Sequence, residues 1–259
     1  MNKVLKYILL SLCGALIVAC MVCSFIGGKA LRSELKCERL EVNILDSLNN
    51  SFVSEDDVKR FLDKEYGTYI GQPLDSLDLV KMEKIVDGRS AVKKSQAYVT
   101  RDGALHVDVT QRSPVVRFQK KDGGFYADAD GYIFPLQNSY ASHVQVIDGN
   151  IPLAANSGYK GSISNPKERT WFERMMRLVN YIQNSKTWKD KIVQIHVADN
   201  GDLALVPRTG KELFIFGQPT DIEDKFVKMG KYYKVIIPEK GNGTYKTIDL
   251  RYRGQIVCK

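Results

Sequence analysis

Residues 7–28, YILLSLCGALIVACMVCSFIGG, run without one charged side chain. Twenty-two helical residues span about 33 Å at the α-helical rise, enough to cross a hydrocarbon core of roughly 30 Å. A cleaved leader is the competing reading, since Ile17-Val18-Ala19-Cys20 has the pattern of a lipid-attachment site with Cys20 as the modified residue. The stretch after Cys20, MVCSFIGG, stays apolar, and leader apolar regions run only about 7–15 residues. The segment therefore reads as an uncleaved membrane anchor. Lys3 and Lys6 precede it while Lys29, Arg32, Lys36 and Arg39 follow it, so charge alone does not orient it. A six-residue tail cannot fold, and the long remainder is expected to lie outside the cytoplasm.

The rest has a globular composition, 44% hydrophobic and 26% charged, with a net charge of +8. A nucleic-acid binder concentrates basic charge into patches with interleaved aromatics. Here one basic stripe stands out, Lys225, Lys228, Lys231 and Lys234, and it reads as a solvated helix face or as a guide for an acidic partner. Three of the five cysteines (13, 20 and 23) lie in the apolar run, which excludes a disulfide framework, and Cys37 and Cys258 are expected as free thiols.

After a charged linker at 29–36, residues 37–45 alternate as a strand with Leu40, Val42 and Ile44 on one face. Ser54 is a helix cap, followed by acidic Glu55, Asp56 and Asp57 and an apolar stripe of Val58, Phe61 and Leu62. Leu77, Val80, Met82 and Ile85 predict a second helix from about Asp75 to Val86. Strands at 94–101 and 104–112 flank Asp102-Gly103, a strong hairpin signal. Beyond Ser113-Pro114, short strands alternate with turns and with two helices. One is capped by Asn165 with Pro166 at its first position; the other runs from about Thr220 to Tyr233. The fold class is α+β: a single N-terminal transmembrane helix, a small β-α-α-β-β domain, then a larger antiparallel β-domain with two helices.

The closing KTIDLRYRGQIVCK predicts a hairpin. Ile248, Leu250 and Tyr252 would share one face and Thr247, Asp249 and Arg251 the other; Arg253-Gly254 would turn the chain, and residues 255–258 would form an outer strand. Exposed sheet edges are a liability unless something covers them. Catalytic and metal signatures do not appear. His106, His143 and His196 stand singly, and Asp128 and Asp130 before Gly131 fit a hairpin turn better than a calcium loop. No phosphate-binding glycine motif or nucleophile elbow is present.

The runs GQPLDSLDL, AVKKSQAYVTRDGALHVDVTQRSPVVRF and GFYADADGYIFP resemble the FtsQ/DivIB family of bitopic bacterial cell-division proteins. The closing KFVKMGKYYK and YKTIDLRYRGQIVCK are similar to that family's end, where a helix precedes a strand carrying Asp-Leu-Arg-Tyr. The resemblance implies a cytoplasmic tail (1–6), transmembrane helix (7–28), linker (29–36), POTRA domain (37–112) and C-terminal β-domain (113–259). It implies a non-enzymatic scaffold without cofactor or small-molecule ligand, in the inner membrane at the division septum. Its partners would be coiled-coil proteins of the FtsB and FtsL type, which help control septal wall synthesis, and the POTRA part is a further candidate surface for other division proteins. By position, the partner surface would comprise Arg251, Tyr252, Gly254, Gln255, Ile256, Val257, Cys258 and Lys259, with Arg251 pairing an acidic side chain. Some members carry a bulky aromatic near the end of that strand, where this sequence has Lys259. Two other classes compete. A POTRA-bearing component of outer-membrane assembly or secretion would need barrel strands of about 9–11 residues. An anchored envelope lipoprotein would need lipid on Cys20.

Overall fold

The computed structural model describes residues 12–23, 35–48 and 50–259. Residues 12–23 form a helix whose Leu12, Leu16, Ile17, Val18, Met21 and Val22 are exposed. Among the described residues no helix is long and apolar enough to cross a membrane. The rest of the expected span (7–11 and 24–28), the tail and linker residues 29–34 lie outside them. The remainder divides into two compact units.

The first unit takes in residues 35–47 together with Val53–Gln111. It follows the expected order: β1 (Arg39–Ile44), α1 (Glu55–Glu65), α2 (Leu79–Asp87), β2 (Val92–Val99) and β3 (Ala104–Gln111). The sheet order is β1-β3-β2, with β3 parallel to β1 and antiparallel to β2. Ser54 caps α1 through a reciprocal box with Asp57, and Val58 and Leu62 are buried from that helix. The second helix begins later than its sequence suggests. Leu74–Ser76 forms a separate 3-10 turn, Asp78 caps α2, and Val80 faces solvent while Met82 and Val86 fill the core. A cap that accepts from Lys81 N–H fixes the start more firmly than the apolar spacing does.

The second unit comprises Leu48–Phe52 and Arg112–Lys259. Its strands are β4 (Pro114–Lys120), β5 (Gly123–Asp128), β6 (Ile133–Pro135), β7 (Gln145–Gly149), β8 (Ile192–Val197), β9 (Leu203–Pro207), β10 (Leu213–Gly217), β11 (Thr247–Asp249) and β12 (Val257–Cys258). They form one nine-stranded sheet in the order β12-β11-β10-β9-β8-β7-β4-β5-β6. The expected all-antiparallel sheet is corrected here, because β4–β7, β7–β8 and β10–β11 are parallel pairs. The two long helices explain two of these. Parallel neighbours need a crossover of a dozen residues or more; α3 (Pro166–Asn184) joins β7 to β8, and α4 (Ile222–Lys231) lies between β10 and β11.

Both helices pack into a single apolar core with the sheet. Phe172, Met175, Leu178, Val179 and Ile182 of α3 and Phe226 and Met229 of α4 meet Val116, Phe118, Ile147, Ile195, Phe214 and Ile248. The last helix does not stop at Tyr233. A π-turn at Tyr232–Ile236 leads into α5 (Ile237–Lys240), so the last helical run continues to Lys240 and the described residues of this unit hold more helical segments than the two expected. Pro238 lacks the N–H that would continue the regular ladder, and the wider turn carries the chain past it.

Candidate partner-docking edge

The nine-stranded sheet has two edges, and their chemistry differs. At β6 the edge is sealed. Ile133 exchanges both main-chain bonds with Gly161 at 2.9 Å, Pro135 has no N–H, and its carbonyl accepts from the Gln137 side chain at 3.1 Å. At the opposite edge lies β12, which among the described residues pairs with β11 alone, in the register Ile248↔Cys258 and Asp249↔Val257.

Lys259 exchanges bonds with Thr247, donating at 2.9 Å and accepting at 3.0 Å. Antiparallel ladders alternate, so residues 257 and 259 turn their polar groups inward and residues 256 and 258 turn theirs to the open side. Gly254, at φ +75°, supplies the left-handed step that reverses the chain. Gln255 and Lys259 are exposed, while Ile256, Val257 and Cys258 are half-buried. Burial raises the Cys258 thiol above its ordinary value, and like Cys37 it is a free thiol.

Several sequence expectations change at this edge. The outer strand is shorter, residues 257–258 rather than 255–258. β11 ends at Asp249; Ile248 and Leu250 are buried as expected, but Tyr252 leaves their face and is 47% exposed in the turn. Arg251, expected to wait for an acidic partner, already has acids of its own. Its guanidinium bonds Asp249 at 2.6 Å and Asp202 at 2.9 Å, which raises its pKa, with Asp249 the larger cause. In return the Arg251 hydrogen bond holds the Asp249 carboxyl below its usual range. A partner's acid would therefore compete with Asp202 for this side chain.

The lysine stripe is also not a uniform solvated face. Lys231 and Lys234 are exposed, but Lys225 and Lys228 are each only 6% exposed. Lys225 Nζ donates to the Gln218 carbonyl at 2.7 Å and lies over the Phe216 ring, and desolvation lowers its pKa. Lys228 Nζ donates to the carbonyls of Tyr252 (2.8 Å) and Leu250 (3.3 Å) and pairs with Asp224 (2.9 Å). Sequence spacing placed the four lysines on one drifting stripe. It could not show that two of them bury their stems along the core and send their heads to backbone carbonyls.

Elsewhere two of the three histidines have structural partners. His106 stacks on Tyr98 and meets Glu41, His196 pairs with Asp148, and His143 is exposed. Asp128 closes its turn by accepting from the N–H groups of Asp130 and Tyr132 and pairs with Arg112, as a hairpin turn requires. No group of three or more potential metal ligands occurs among the described residues. In the first unit, the outer strand β2 has two N–H groups already taken. Ser95 donates to Asp87 at 2.6 Å and Ala97 to Glu83 at 2.8 Å, so α2 shields that edge.

The described residues thus form a β-α-α-β-β unit and a large mixed sheet with crossover helices. Residues 113–259 match the family described as FtsQ/DivIB, C-terminal related, and residues 35–110 match the POTRA-like domain. The chain belongs to the FtsQ/DivIB, C-terminal related family and carries the POTRA-plus-C-terminal arrangement of a cell-division scaffold. No curated protein matches it.

Proposed function

We propose that this chain is a non-enzymatic, single-pass division scaffold whose β12 edge accepts an extended segment of an FtsB-type coiled-coil partner, itself paired with an FtsL-type protein. The observation that carries this reading is the contrast between the two edges of the nine-stranded sheet. The β6 edge is sealed by Gly161, Pro135 and Gln137, while the β12 edge presents outward main-chain groups at the positions the family resemblance assigns to the partner. Main-chain bonds to the added strand would supply register, and Tyr252 beside it would supply exposed aromatic surface. The apolar run 7–28 supports a cytoplasmic-membrane anchor with the folded units outside, at the division septum, where the partner coiled coil helps coordinate wall synthesis.

Hydrogen exchange of the full chain, with and without the ectodomain of an FtsB–FtsL-type pair, tests this. Gained protection at Ile256 and Cys258 is the expected result. If those amides exchange at the same rate in the mixture, the edge is not the docking site.

A further inference from the structure

Lys228 stands out among the buried charges of the second unit. An ammonium has three donors, and here all three have acceptors: the carbonyls of Leu250 and Tyr252 and the carboxylate of Asp224. Two of these acceptors belong to one short stretch, the two residues on either side of Arg251, where β11 has ended and the turn to β12 begins. The third is exposed and sits one helical turn earlier on α4. Asp224 is held below the usual carboxylate range chiefly by its hydrogen bond with Lys228, with Lys231 and Arg253 adding to the positive surroundings.

The location matters because, beside the packing of Ile256 and Cys258 on the core and the bonds of Lys259 to Lys246 and Thr247, β12 is held by a short ladder. It is two residues long, and its ladder reaches only β11, itself three residues long. A two-stranded edge this short is marginal without further contacts. We propose that Lys228 is the positioning residue of the docking edge: by binding the carbonyls of Leu250 and Tyr252 it fixes where β11 stops and so sets the register in which β12 is presented. This rests on the edge being the docking site. Its own effect, however, is readable in the free protein.

An apolar replacement of similar length, Lys228→Met, leaves a buried carbonyl at Leu250 without its charged donor. In the full chain without partner, the amides of Val257 and Lys259 should then exchange about tenfold faster or more. Those of Phe118, Ile147 and Ile195, deep in the same sheet, should stay within about twofold of wild type. Lys228→Arg, which keeps a charged donor, should restore most of the edge protection. The affinity for the FtsB–FtsL-type ectodomain should fall with the edge protection. Unchanged exchange at Val257 and Lys259 would overturn the proposal, as would acceleration spread evenly over the sheet, which marks a lysine of general structural importance. Should Lys228→Met fail to fold, Lys228→Gln, whose shorter side chain withdraws the donor from both carbonyls, carries the test, with a selective acceleration at the edge expected and an even or absent one refuting. If the wild-type chain binds no ectodomain, the docking reading fails while the edge exchange still judges Lys228.

Discussion

Replacing Cys258 by proline should separate partner binding from the fold that supports it. Lys259 spends its N–H and C=O on Thr247 inside the sheet, so the N–H of Cys258, one residue earlier, points to the open side. Proline removes that donor and breaks no ladder bond to β11, and outward-facing edge positions are where sheets tolerate it. A partner carbonyl arriving opposite would meet no donor. The cost of such an unsatisfied group is about 1–3 kcal/mol, which raises Kd by roughly five- to 150-fold. The side chain needs its own control, because Cys258 is half-buried against the core opposite Ile248. Cys258→Ala removes the thiol and keeps the N–H, and should bind close to wild type. The assay is calorimetric titration of the full chain with the FtsB–FtsL-type ectodomain, alongside thermal unfolding of each variant. Cys258→Pro and Cys258→Ala binding equally well, with equal unfolding midpoints, would refute main-chain pairing at this edge.

Gly149 sits at φ +90°, and a Cβ there would lie 2.1 Å from the Val197 carbonyl, so Gly149→Ala should destabilise the second unit by about 2 kcal/mol or more in chemical denaturation. Leu62 is fully buried, and Leu62→Ala should cost about 2–5 kcal/mol, read as lost exchange protection within the first unit. Asp249 titrates below its ordinary value of 3.8 when folded, so the stability it contributes is present above that value and lost as pH falls through the lowered one. The unfolding-midpoint difference between wild type and Asp249→Asn should therefore be flat from about pH 8 to 5 and shrink only below about pH 4. A difference that already fades near neutrality would refute this assignment.

Local signals were legible where one side chain decides one backbone event. Ser54, Asn165 with Pro166, and Gly103 each mark a cap or a turn that the structure contains. The apolar stripe of α3 was equally plain, because its 3.6-residue spacing meets a single core. Strand direction was less so. β7 and β8 read as ordinary short strands, and only the helix between them hints that they run parallel. The start of α2 is not legible because Leu77 is buried from the segment before the helix, which mimics a helical position. At the candidate edge the hairpin and its glycine turn were readable from KTIDLRYRGQIVCK. The Arg251–Asp202 pair and the reach of Lys228 to Leu250 and Tyr252 were not, since these contacts join residues 22 to 49 positions apart.

The sealing of the β6 edge has a consequence for assembly size. A sheet open at both ends can keep adding neighbours, and each addition exposes another acceptor row. This one has Gly161, Pro135 and Gln137 closing one end, so strand pairing can grow it in a single direction. Its valence for edge-to-edge association is one. A bound segment with its own outer side blunted would end the growth at a one-to-one complex, and two copies meeting through β12 would close as a symmetric pair. Neither arrangement would propagate into a fibre, so the stoichiometry of the proposed docking at β12 would be set by hydrogen bonds at the far side of the sheet.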